Sequence, residues 1–446
     1  VLQVGSIGKP PVTATANAGP ASAAEGSSSR LLVFALVCAI FQFYIIPLGG
    51  FYLSLGLVSS YLLMLRVNVR ELITLRVSQV FILLMLTEAA SLVWSPTPLL
   101  GVREIIYDVP FLLVYLATRQ IAAKNEEAIY AALKIFCVVG ASHSLLMIAM
   151  VLSPQIKEVF FASPLGAIFI NGNSLTGIAS GLTQSTAFGA DKSPGFFVNA
   201  NVAGVWEATG LWVTLFLFQA RRSLIMIPIL LLHAVAILAA GSKASAALLF
   251  MIPCVTAIAL FIFPPYGKQR HLLLALCGGV TVFLIPYIVF KHFSQLHFVQ
   301  DSAHTFMSRS VMWNHAWEQF KIHPLLGQGF GGWTQSFAPV GYAYGYLGVR
   351  PDFPPHNSLI IVWSQSGGIA LLLTFVLLGL LFRDALKPRL VPGGVTLSRC
   401  TFGAFLFIVV QAMGENYGVL GDVHIKIPLA VMLGWASTYG QRRPKR

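Results

Sequence analysis

Apolar runs long enough to cross a bilayer recur along most of the chain, and that recurrence narrows the possible folds more than any other feature. They fall at about 31–48, 51–65, 78–94, 104–118, 129–152, 196–219, 223–241, 244–264, 271–290, 358–382, 397–414 and 424–440. Roughly 20 apolar residues carry a helix across the hydrocarbon layer, so the pattern predicts an all-α polytopic membrane protein with twelve transmembrane helices. No window alternates polar and apolar residues as the strands of a membrane barrel would. Composition agrees, with 56% of residues hydrophobic and 10% charged, whereas soluble domains carry roughly a quarter charged residues. An ordinary water-soluble enzyme is excluded.

The net charge of +13 could suggest nucleic acid, but its placement follows the spans. If the N-terminus is cytoplasmic, the inside segments hold Arg66, Arg70, Arg76, Arg221, Arg222, Arg383 and the basic cluster at 441–446. Lys and Arg collect in short cytoplasmic loops, so both termini are expected in the cytoplasm and no nucleic-acid partner is expected. Residues 1–30, rich in Ala, Gly, Ser and Pro, read as a disordered tail. Spans one to nine fill 31–290, interrupted by an external loop at about 153–195. A large, partly helical external loop covers 291–357, and the last three spans cover 358–440. Cys38, Cys137, Cys254, Cys277 and Cys400 lie singly in apolar runs, so neither a disulfide framework nor a zinc site is indicated.

Chemistry-bearing residues concentrate in the large loop. Arg309, Trp313, Trp317 and Phe320 recur at helical spacing, and that helix should stop at HPLLGQGFGG, where a His-Pro step disfavours helix. The glycines that follow would let backbone amides approach a ligand. PDFPPHN then places His356 and Asn357 at the mouth of a helix, where free amides and the dipole favour anions. The plainer alternative is that the pair merely caps that helix.

Arg-x3-Trp-x3-Trp, HPLLGQGFG, and PHN followed nine residues later by Gly367-Gly368 together resemble the O-antigen ligase and polymerase family. The upstream GFFVNANVAG is similar to that family's entry to a span. The resemblance implies a membrane glycosyltransferase of GT-C-like fold in the bacterial inner membrane, with its active site facing the periplasm. A glycan would pass from undecaprenyl pyrophosphate to a sugar hydroxyl, with no cofactor and no metal. The acceptor would be a growing glycan or lipid A-core, and a chain-length regulator or export proteins would be partners besides the bilayer.

By the same resemblance His356 would be the general base and Arg309 the catalytic clamp on pyrophosphate. Asn199, Asn201, Trp313, Arg350 and Asn357 are further candidates for binding substrate. Lys243 stands in a short external turn where the family carries a second arginine, which keeps the charge but loses the bidentate fork. That departure tilts the expectation from ligase toward polymerase. A secondary transporter or a flippase for the same lipid is the alternative of another class. Glu88, Asp108, Lys134, His143, Glu207, His233 and Glu415 fall in or near spans, where ionisable groups are costly and often functional.

Overall fold

The computed structural model describes residues 20–48, 51–170, 175, 192–262, 297–347, 349–386, 394–415 and 418–438. In chain order these form α1 (Pro20–Phe41), an antiparallel hairpin of β1 (Tyr44–Leu48) and β2 (Phe51–Ser54), α2 (Leu55–Leu62), α3 (Val69–Thr74) and α4 (Arg76–Ser91). Next come α5 (Pro98–Lys124), α6 (Glu126–Leu152), and the short α7 (Pro154–Ala162) and α8 (Pro164–Phe169). The second half contains α9 (Ala200–Arg221), α10 (Met226–Ala239), α11 (Lys243–Ile262), α12 (His297–Ile322) and α13 (Trp333–Ala343). It ends with α14 (Ser358–Leu386), α15 (Gly394–Ala412) and α16 (Val423–Thr438).

Helix dominates, as the sequence predicts. Among the described residues, four stretches are long and apolar enough to cross a membrane: Arg76–Trp94, Glu126–Leu152, Ala200–Arg221 and Ser358–Leu386. Shorter apolar helices occupy Ser27–Phe41, Leu55–Arg66, Met226–Ala239, Lys243–Pro253 and Leu397–Ala412. The expected ninth span, 271–290, lies outside the described residues, as do 1–19 and the basic terminus.

Two expectations are corrected. The tail was expected to lack structure through residue 30, yet helix begins at Pro20. The Ala-rich segment after Pro20 favours helix, and proline suits a first helical position. The first two expected spans are also interrupted by the hairpin, which pairs Tyr44 with Ser54 and Leu48 with Phe51. Pro47 disfavours a helix interior and Ile45-Ile46 favours extended backbone, so helix there resumes only at Leu55.

α16 sits in the middle of the bundle, with every residue from Val423 to Thr438 buried. A helix apolar all round is stable only when surrounded, and it packs most extensively on α5. At one end of that pair Arg119 meets Glu71 and Ser437, Tyr115 donates to Asp384, and Trp435 donates to Glu126.

α14 carries the feature that shapes the opposite end. It breaks at Gly367, whose φ of 77° and ψ of −173° are not helical. The segment after α12 docks into the break. Gln328 N donates to Ser364 O at 3.0 Å, Gly329 N to Gln365 O at 2.9 Å, and Gly368 N to Pro324 O at 2.8 Å. Backbone groups freed by the break thus find partners. A Cβ on Gly367 would stand 2.2 Å from Leu325 O, and one on Gly327 2.3 Å from Gln365 O. The glycines of GQGFGG therefore serve backbone-to-backbone approach, which corrects the expectation that they present amides to a ligand. The same loop is tied to the α4–α5 turn, since Trp94 Nε1 donates to Gly327 O and Thr97 Oγ1 to Gly331 O.

Candidate active site

The segment from α12 to α14 has its own small core. Met312 and Ala316 of α12 pack with Trp333 and Phe337 of α13 and with Val349. Two indoles from this core hold the segment that precedes α14. Trp333 Nε1 donates to Phe353 O and Trp313 Nε1 donates to Pro355 O, each at 2.8 Å. His356 follows in a left-handed conformation, φ 48°, which a non-glycine residue adopts only where its surroundings enforce it. The ring of Phe353 meets the His356 ring edge to face at 5.9 Å.

Asn357 caps α14, its Oδ1 accepting from Leu359 N at 3.0 Å and Ile360 N at 3.1 Å. The helix-start amides are therefore taken, and the expectation that they await an anion is corrected. Ser358 Oγ donates to Ala412 O at the end of α15. Arg309 Nη2 reaches the same corner and donates to Gly414 O at 3.0 Å. Glu415 comes next in the chain and is buried.

Charge now converges from four segments. Arg309 from α12, Lys192 from the stretch before α9, and a hydrogen bond from Asn201 in α9 all act on Glu415. Burial outweighs them and raises the Glu415 carboxyl to about 7. Burial also lowers His356, and the Arg309 cation beside it lowers it further, to about 4. The imidazole is accordingly neutral at ordinary pH. Arg309 is itself pulled down by burial, and Glu415 opposes that; a guanidinium nevertheless remains charged.

The structure brings His356, Arg309 and Asn201 into one neighbourhood and separates the other candidates by role. Asn199 caps α9, accepting from Asn201 N. Trp313 has its N–H committed to the His356 segment. Arg350 grips Asp352 through both carboxylate oxygens, at 3.0 and 2.8 Å, and lies over Phe353. Lys243 is exposed at the first position of α11. Its turn packs beside α9, where a Cβ on Gly204 would lie 2.6 Å from Ser245 Oγ, one helical turn past Asn201.

Lys192 was missed among the sequence candidates, and Glu415 stood there only as one of several acids near a span. No spacing joins Lys192, Asn201, Arg309 and Glu415; burial of an acid just past an apolar run was the only signal.

Several of the remaining ionisable candidates pair with one another. Glu207 accepts from both His143 Nδ1 (2.5 Å) and His233 Nδ1 (2.6 Å), and Ser144 Oγ donates to it at 2.7 Å. Lys426 pairs with Asp108. Glu88 is buried, while Lys134 is exposed on α6.

A neutral imidazole beside fixed cations can accept a proton while negative charge accumulates next to it. Residues 228–375 match the O-antigen ligase family. Over this region the family resemblance holds. The stretch includes Lys243, Arg309, His356 and the broken start of α14. The chain is also 27% identical over 183 residues to the exopolysaccharide production protein ExoQ of Rhizobium meliloti (strain 1021). That match covers 40% of this chain and 41% of the relative, so the two are aligned over less than half of either.

Proposed function

We propose that the protein is a membrane glycosyltransferase that moves a glycan from undecaprenyl pyrophosphate to a sugar hydroxyl at the outer face of the bacterial plasma membrane. The observation that carries this reading is Arg309, which acts on both His356 and the buried Glu415, the latter also drawing Lys192 and a hydrogen bond from Asn201. One alternation of twelve spans from a cytoplasmic N-terminus puts all of these helix ends on one side of the membrane. Cations and a base on the same face are what the reaction needs.

In the transfer, the acceptor oxygen attacks the anomeric carbon and its proton passes to His356. The bond from that carbon to pyrophosphate breaks, and the electron pair leaves on the lipid-borne pyrophosphate. Arg309 contacts that charge through its planar fork, with Lys192 and Lys243 adding attraction. The imidazolium then returns its proton to solvent or to the leaving group. No metal or cofactor is required by this scheme.

Within the family we favour a polymerase. Two observations favour it: the lysine at 243, and the similarity to an exopolysaccharide production protein. Attachment of O-antigen to lipid A-core is the second reading, favoured by the family description matched at 228–375. The glycan-length profile of a strain lacking the gene tests both. Loss of a polymerase leaves single repeat units on carrier or acceptor, whereas loss of a ligase leaves long chains unattached. An unchanged glycan profile would sink the proposal.

A further inference from the structure

Beside the His356 segment lies a cavity of about 320 Å³. Its walls come from α4, α5, α14 and α13, and from the turn before α16. Pro354 and Ser358, two residues to either side of His356, both line it. Gly418, three residues beyond Glu415, lines it as well. The cavity therefore reaches the segment that carries His356, close in the chain to the corner where Arg309 meets Gly414.

Its chemistry differs from that of the cationic side. Glu88, Glu104 and Asp108 face it with only Arg103 and Lys426 as cations. Both cations are engaged, Arg103 with Glu104 and Lys426 with Asp108. Glu88 is 3% exposed, and its Oε2 is buried without a hydrogen-bond partner. A buried acceptor left unmade costs free energy, and a donor arriving from a ligand would remove that cost. Phe81 and Leu84 supply an apolar wall and Trp333 an aromatic one. Carboxylate acceptors beside a ring suit a neutral molecule with many hydroxyl donors and apolar C–H faces. They repel pyrophosphate.

We propose that this cavity is the acceptor-sugar site, with Glu88 accepting a hydrogen bond from an acceptor hydroxyl. The assignment rests on the transfer reaction proposed above. It places the two substrates in different surroundings next to the His356 segment, the anionic donor among the cations and the uncharged acceptor among the carboxyl groups. The ligand class is a sugar unit of the glycan being extended or decorated, for which a pocket of this size has room.

The test uses the full chain in lipid nanodiscs. The probe is the oligosaccharide released by mild acid from the lipid-linked material of a strain lacking the gene. Saturation-transfer NMR reads its binding, and glycan gels read transfer. Glu88→Gln and Thr334→Trp, the latter filling the cavity from its α13 wall, should each weaken oligosaccharide binding about ten-fold, as loss of a hydrogen bond to a buried polar group does. His356→Ala should keep binding and lose transfer. Wild-type protein that does not bind the probe, or binding unmoved in both cavity variants, overturns the assignment. If the probe binds through Glu88 but wild-type protein transfers nothing, the transferase reading fails and the sugar site stands. Transfer that proceeds normally in both cavity variants leaves the transferase reading intact and removes the cavity from it.

Discussion

Two of the histidine-containing centres among the described residues are built on opposite principles. His143, Glu207 and His233 are completely buried between α6, α9 and α10, and each imidazole turns its Nδ1 to a different oxygen of one carboxylate. Ser144 donates to that carboxylate too. His143 also stacks on Phe196 at 5.3 Å and sits so close to Gly195 that a Cβ there would lie 2.2 Å from its Nε2. Everything about this centre is turned inward, and it pins three helices together. His356, by contrast, sits in a strained backbone conformation at a helix start, facing a cation rather than a carboxylate. A buried polar cluster whose members hydrogen-bond to one another reads as a clamp. An imidazole kept neutral by burial and a neighbouring cation reads as chemistry.

The sharpest way to break that contrast is to remove each centre in turn. His356→Ala should lower glycan transfer by about 100-fold or more, the usual contribution of a general base, with the protein's melting temperature in nanodiscs unchanged. Arg309→Lys should fall next, because charge is kept but the fork that contacts Gly414 O, and that the proposed transfer aims at a phosphate, is lost; its activity should lie between wild type and Arg309→Ala. Glu207→Ala should behave in the opposite sense. Taking one partner from a buried ionic cluster costs about 3–5 kcal/mol, so it should lower thermal stability and membrane yield. The protein that does fold should retain transfer. A Glu207→Ala variant that is fully stable yet inactive would reverse the roles assigned to the two centres.

Much of the functional side of this contrast was legible in the sequence, and the reasons are local. His356, Arg309 and Asn201 stand in short motifs whose order survives translation into one dimension. The break in α14 was visible only as Gly367-Gly368, because what fills it comes from Pro324 to Gly331, far away in the chain. The same distance hid the partnership of Glu415 with Lys192 and Arg309. The pairing of His143 and His233 on Glu207 was equally hidden, since three apolar helices each carrying one polar residue give no periodic sign of which will meet. The hairpin at Tyr44–Ser54 was lost for the opposite reason: its residues are as apolar as a span, and only Pro47 argued against helix.

The finest test concerns Glu415, which connects burial to donor binding. Its carboxyl is raised to about 7 by burial despite the nearby Arg309 and Lys192. Below that pH it is protonated and leaves the Arg309 charge to an arriving pyrophosphate. As pH rises through 7 it ionises and competes with the phosphate, so the apparent KM for the lipid-linked donor should rise with pH across this range. Glu415→Gln should flatten that rise to within about two- to three-fold, a difference well under one tenfold step of 1.4 kcal/mol. His356 gives the opposite limb. It must be neutral to act as base, so kcat/KM should fall as pH drops toward about 4. Bound pyrophosphate offsets the Arg309 charge that depresses it, and the acid limb of kcat should therefore lie at higher pH than that of kcat/KM. Coincident limbs would mean that Arg309 and His356 do not share one substrate.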